Sequence, residues 1–247
     1  MATIQLNCDL GENFGLYTLG DQTAALKYVD QANLACGFHA GDFSVMACAV
    51  ADAVEHNLSI GAHPGYPDLQ GFGRRAMAFS PQEVTDLMLY QMGALNAFCQ
   101  THGKQIDYVK PHGALYHAIY KDSKMLEAAL IACKQFREGL PLMTLAVADP
   151  SAVKAKSEEL GVPVLFEAFA DRAYLADATL SPRSHPDAVH HDQARIVQQG
   201  VAIASGQPIT TLEGESLTLH ADTLCVHGDN PTSLAVLKSL RAALEDL

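Results

Sequence analysis

The sequence predicts an α/β fold built on a barrel of parallel strands, and three observations carry that expectation. Short apolar runs alternate with helical patterns about seven times, with no hairpin signal until a weak region at 207–220, and that order demands parallel pairing. Each run ends in a polar, loop-like segment: NCDLGEN at 7–13, CGFHAGD at 36–42, GAHPGYPD at 61–68, VKPHGALYH at 109–117, VADPS at 147–151, EAFADR at 167–172 and VHGDN at 226–230. An open doubly wound sheet also satisfies the alternation. In that fold only the strands beside the switch point feed a site, whereas a barrel gathers every carboxyl end at one mouth.

Boundary chemistry places the helices. A first helix is expected near 21–29. Asp42 can cap a helix over Phe43 to His56 with Val45, Ala49 and Ala53 inward, and Ser80-Pro81-Gln82-Glu83 reads as a capping box with a first-turn proline. That helix should run to His102 and stop at Gly103. A helix near 122–136 follows, then a shorter one from Asp149-Pro150 to Gly161, one at 190–205 opened by His190-His191, and a last one at 232–246. Loops 62–79 and 170–189, rich in Gly, Pro and Arg, have the character of lids or binding loops.

The 247 residues, 49% apolar, suffice for one domain over 1–247 with a full core. A net charge of -12 without a Lys/Arg cluster argues against nucleic-acid or anionic-membrane partners. The six cysteines form no CxxC pair and read as buried free thiols. With neither a signal-peptide pattern nor an apolar run of about 20 residues, a cytoplasmic location is the expectation.

Strands buried on both faces are apolar, so imidazoles and charges at their ends need a reason, and an active site supplies one. Residues two apart share a strand face, so Asn7 with Asp9, Lys110 with His112, and His227 with Asp229 should point into the mouth. Asp9 and Glu12, across Gly11, suit a general base or oxygen ligands for a cation, or a turn hydrogen bond. His39 and His63 follow Gly-containing strand ends and, with Asp9, are candidate metal ligands. A buried Lys110 would need an anion, and Arg172 can hold a carboxylate in bidentate fashion. Glu167 is a further acid/base candidate. Cys8 and Cys225 are expected to face away from Asp9 and Asp229, which argues against a thiol nucleophile. No GxSxG, HExxH or GxxxxGK(S/T) occurs. Gly71 to Ala76 matches GxGxxA in letters but follows a loop, which excludes a dinucleotide fingerprint.

Together NCDLGENFG, ANLACGFHAGD, IGAHPGYPDLQGFGRR, VKPHGALYH, FADRAY and CVHGDNP resemble the LamB/YcsF family, in order from Asn7 to Pro231. ADATLSPRSH departs from the pattern, which places a glycine where Ala178 stands. The resemblance implies a distorted seven-stranded β/α barrel of the glycoside hydrolase/deacetylase type. It also implies ATP-driven opening of the lactam 5-oxo-L-proline to L-glutamate, together with 5-oxoprolinase subunits B and C. The cofactors implied are ATP and a divalent cation, with magnesium the expected ion. On that reading Asp9, Glu12, His112 and Asp229 are catalytic, and Asn7, His39, His63, Lys110, Glu167, Arg172 and His227 bind substrate. A deacetylase or amidohydrolase acting without ATP, and a non-catalytic substrate-binding component, are the alternatives.

Overall fold

A computed structural model describes residues 4–19, 22–226 and 231–247. Seven parallel strands close a barrel in the order β1 (Gln5–Leu10), β2 (Gln31–Ala35), β3 (Ser59–His63), β4 (Tyr108–Val109), β5 (Leu142–Leu145), β6 (Val164–Phe169) and β9 (Thr223–Cys225), with β9 returning to pair with β1. A separate antiparallel pair, β7 (Ile209–Thr210) and β8 (Ser216–Leu217), occupies the region where a hairpin signal appeared. The barrel is uneven. β4 has two residues and meets β5 only at Val109 and Leu142, whereas β2 and β3 pair over five positions.

Eight α-helices are described: α1 (Gln22–Ala25), α2 (Phe43–Glu55), α3 (Pro81–Thr101), α4 (Gly113–Lys121), α5 (Ser123–Phe136), α6 (Ser151–Leu160), α7 (Gln193–Ala204) and α8 (Pro231–Glu245). None of the described helices is long and apolar enough to cross a membrane. α1 is a single turn continued by a 3₁₀ turn over Leu26–Tyr28.

The capping expectations hold where a side chain decides the boundary. Asp42 accepts from the amides of Ser44 and Val45, and Ser80 and Glu83 exchange both bonds of a capping box. Gly103 and Gly161 adopt left-handed φ values of 67° and 69° just past their helices.

Three expectations change. The buried face of α2 is Met46, Val50 and Ala53, while Val45 and Ala49 are half-buried. Ala53 is buried as expected, and α2 packs against β2, β3 and α3. α7 opens at Gln193 because Asp192, not the His190-His191 pair, caps it by accepting from the Arg195 amide. The segment 109–117 is not one strand ending: β4 stops at Val109 and His112 is already the N-cap of α4. Strand alternation therefore does not relate Lys110 to His112, although both reach the mouth.

The apolar core includes Leu6, Cys8, Ala32, Leu34, Ile60, Leu142 and Leu224, and in β1 and β2 it alternates with the inward-facing Asn7, Asp9 and Asn33. Gly61 is one place where a side chain is forbidden, since a Cβ there would strike the Tyr108 ring. That close approach lets the Tyr108 hydroxyl reach over β3 to donate to Asn33 Oδ1 at 2.6 Å.

Candidate active site

The floor of the mouth is a buried charge network. Lys110, extending from the end of β4, places its ammonium 2.7 Å from Asp9 Oδ1 and 2.8 Å from Glu167 Oε1. It also donates to Asn7 Oδ1 at 3.2 Å and to Cys225 Sγ at 3.3 Å. Burial alone would lower this ammonium, but Asp9 and Glu167 outweigh it and hold it well above the usual lysine range. Lys110 is thus a permanent cation whose counter-charges come from β1 and β6.

Asparagine and tyrosine side chains fix the carboxylates. Asn33 donates to both Asn7 Oδ1 and Asp9 Oδ1, each at 2.8 Å. Asn7 in turn donates to Thr223 Oγ1 at 2.9 Å, and the Tyr116 hydroxyl donates to Glu167 Oε2 at 3.0 Å. Burial, reinforced by Glu167, keeps the Tyr116 hydroxyl protonated by raising it well above the usual tyrosine range. Cys225 corrects an expectation: it is in register with inward-facing Asn7, so it points to the interior. Burial pushes its thiol well up, so it stays protonated at neutral pH. Cys8, in register with core residue Ala32, faces the opposite way.

Beside this network three imidazoles pack together. His39 and His112 stack with centroids 3.7 Å apart, and His63 meets both edge-on. His63 Nε2 lies 3.4 Å from Asp9 Oδ2, and His39 Nε2 lies 3.1 Å from Glu12 Oε1. Burial pushes His39 and His112 well below the usual histidine range, and neighbouring imidazoles push them the same way. Glu12, His39, His63 and His112 present one ligand atom each within 4.8 Å of one another, a set that could hold a metal ion. Gly11, at φ 69°, makes the turn between β1 and Glu12, whose carboxylate meets His39.

A cavity of about 230 Å³ opens above the floor, lined by Asp9, Glu12, His63, Lys110, His112 and the buried Arg172, and by the exposed Arg74 and Arg183. Sites for drug-sized ligands run to roughly 300–1,000 Å³, so this volume suits a small polar molecule. Arg172, 3% exposed, is held by donating to the Ala188 and Ser181 carbonyls of the second long loop. Burial first, then Arg183, lowers its guanidinium to about 10, leaving it cationic at neutral pH. Gln199 of α7 anchors the same segment through the carbonyls of Phe169, Ala170 and Arg172.

Of the residues singled out from sequence, Asp9, Glu12, His63, Lys110, His112 and Arg172 line this cavity. Asn7, His39 and Glu167 are fully buried behind its wall and reach it through their partners. His227 and Asp229 lie outside the described residues. Asn33, Tyr108, Tyr116, Arg74 and His117 were not singled out from sequence. Alternation could have marked Asn33, two residues after Gln31 in β2, and Tyr116 and His117 stood inside a quoted segment.

The sequence profile of the LamB/YcsF family matches residues 4–247. A relative from Pseudomonas aeruginosa, named as a 5-oxoprolinase A subunit, is 57% identical over 244 residues, covering 99% of this chain and 97% of its own. The 5-oxoprolinase A subunit of Chromohalobacter salexigens is 51% identical over 242 residues, 98% of this chain and 97% of its own. Among solved structures, the lactam utilization protein from Thermus thermophilus superimposes with a TM-score of 0.90 at 40% identity, covering 99% of this chain and 96% of that one.

Proposed function

The chain belongs to the LamB/YcsF family, and on that premise we propose that it is the barrel subunit of an ATP-dependent 5-oxoprolinase. It opens the lactam of 5-oxo-L-proline to L-glutamate with ATP hydrolysis, in company with subunits B and C. One observation carries this reading: a small cavity is lined by carboxylates, an ammonium and imidazoles together with three guanidinium groups. That is the polarity a lactam acid requires, with the ring amide toward acid/base groups and the carboxylate toward cations.

A five-membered lactam is an unstrained, resonance-stabilised amide. Water attacks it slowly and ring closure competes, so coupling to ATP makes chemical sense: phosphoryl transfer to the lactam oxygen activates the ring carbon, one water expels the ring nitrogen to leave an acyl phosphate, and a second water releases phosphate to give glutamate. Asp9, partly exposed and held by Lys110 and Asn33, accepts the proton of the attacking water. The water's protons pass by way of Asp9 to the departing ring nitrogen, with His112 lining the same cavity, so one water is added across the C–N bond. Lys110 offsets negative charge that grows on the lactam oxygen, while Asn7 and Glu167 hold the ammonium in place. Arg172 orients the substrate carboxylate. The chain has no Walker sequence, and the guanidinium groups supply the anion-binding side of the cavity.

The experiment is glutamate formation from 5-oxoproline and ATP by this chain combined with its partner subunits. Asp9→Asn should lower kcat by on the order of 10²–10⁴, the range for loss of a general base, and Arg172→Lys should raise KM. Wild-type turnover by a folded Asp9→Asn protein would refute the assignment. The imidazole cluster favours one other reading, an amidohydrolase that needs no nucleotide. Glutamate released by the isolated chain without ATP would select it.

A further inference from the structure

His63 and His112 face each other through Nε2 and Nδ1 at 2.9 Å. The other nitrogen of each ring is committed to a backbone carbonyl: His63 Nδ1 to Lys110 at 2.6 Å, and His112 Nε2 to Phe72 at 2.8 Å. A carbonyl can only accept, so each ring must carry its proton on the carbonyl side. Two neutral imidazoles so arranged point bare lone pairs at each other. Glu12 Oε1 adds more negative charge, 3.8 Å from His112 Nδ1 and 3.1 Å from His39 Nε2. A lone proton shared by His63 and His112 would quiet one of these contacts. It would leave the carboxylate and the third imidazole directed at the same point.

An ion at ligand distances of about 2.0–2.1 Å in tetrahedral geometry sets its donor atoms roughly 3.3–3.4 Å apart. The separations of 2.9, 3.1 and 3.8 Å bracket that value. We infer that Glu12, His39, His63 and His112 bind one divalent transition-metal ion of the zinc class, and that the site is not built for magnesium. Three imidazoles and one carboxylate are donors for zinc, cobalt or manganese, whereas magnesium takes oxygen and keeps its waters. Asp9, one of the ligands expected from sequence, is engaged with Lys110 and stands beside the set.

The backbone around the cluster is shaped to this end. Phe72 adopts φ 53°, a left-handed conformation that costs a bulky L-residue on the order of 1–3 kcal/mol. That conformation belongs to the turn whose carbonyl orients His112. Gly65 and Gly73 leave room for the rings, since a Cβ at either would collide with His39, and at Gly73 with His112 as well. Carbonyl partners on the far nitrogen of ligating histidines are the usual means of fixing their tautomer.

The test is metal binding by the full-length chain without substrate or nucleotide, so a failure here leaves the lactam reading standing. Chain stripped with a chelator is titrated with Co²⁺ and Zn²⁺, and bound metal is read by elemental analysis and by the visible bands of low-coordinate cobalt. The expected result is one ion per folded chain, not displaced by millimolar Mg²⁺. Glu12→Gln, nearly isosteric and still able to bond His39, should weaken binding by at least about 10–100-fold, the scale seen even for outer partners of metal ligands. His63→Ala with His112→Ala should abolish it. A folded wild-type chain that takes up no stoichiometric transition metal overturns the inference. So does unchanged binding in Glu12→Gln, or equal affinity for magnesium.

Discussion

Replacing Lys110 with methionine removes the single ammonium that two buried carboxylates share. At an effective dielectric constant near 20, a pair at 2.7 Å and another at 2.8 Å are each worth about 6 kcal/mol of gross Coulomb attraction. Most of that is offset by the cost of desolvating three ions, so the measurable loss should be the one typical of stranding a buried charge, about 3–5 kcal/mol. Urea unfolding followed by circular dichroism reads the loss, and Lys110→Met with Glu167→Gln should recover part of it. A single variant less than about 1 kcal/mol below wild type would show that the ammonium does not hold this network together.

His117, which lines the cavity, is lowered to about 4 by burial first and then by Arg172 and Lys121. The unfolded chain therefore takes up a proton that the native state refuses, and stability should fall between about pH 6.5 and 4 by on the order of 2 kcal/mol after allowing for solvent. His117→Gln should flatten that part of a pH-resolved unfolding profile, and an unchanged slope would count against it. Gly61→Ala drives a methyl into the Tyr108 ring and should cost about 1–3 kcal/mol in chemical denaturation. A neutral result there would mean that the β3–β4 approach is looser than described. Ser80→Ala removes one side of the capping box that starts α3 and should lower stability by about 1 kcal/mol, read as a shift of the urea midpoint.

Much of the fold was legible because local chemistry and global packing agree. Asp42, Ser80, Gly103 and Gly161 each mark a boundary with a side chain or a backbone conformation that works regardless of tertiary context. The seven-strand closure followed from alternation plus polar strand ends. β4 was harder: two residues carry no periodicity, and the helix after it starts at Gly113 without a side-chain cap. The site divides in the same way. Asp9, His63 and Lys110 stood out because a charge or imidazole at the end of an apolar run is anomalous. Asn33 and Tyr108 did not, since neutral polar groups inside strands read as ordinary, and only the strand pairing brings Asn33 to Asp9 and Asn7 and the Tyr108 hydroxyl to Asn33. Ala178 shows the reverse: the family pattern expects glycine there, and the residue indeed takes a left-handed φ of 65°.

If one mouth holds the lactam between Asp9 and Arg172, a crystal of the chain soaked with 5-oxo-L-proline should show it there. The ring amide is expected within hydrogen-bond reach, about 2.6–3.2 Å, of Asp9, Lys110 or His112, with the carboxylate turned to the guanidinium groups. A ligand bound elsewhere on the chain, or in this cavity with its carboxylate against Asp9 and Glu12, would contradict that placement.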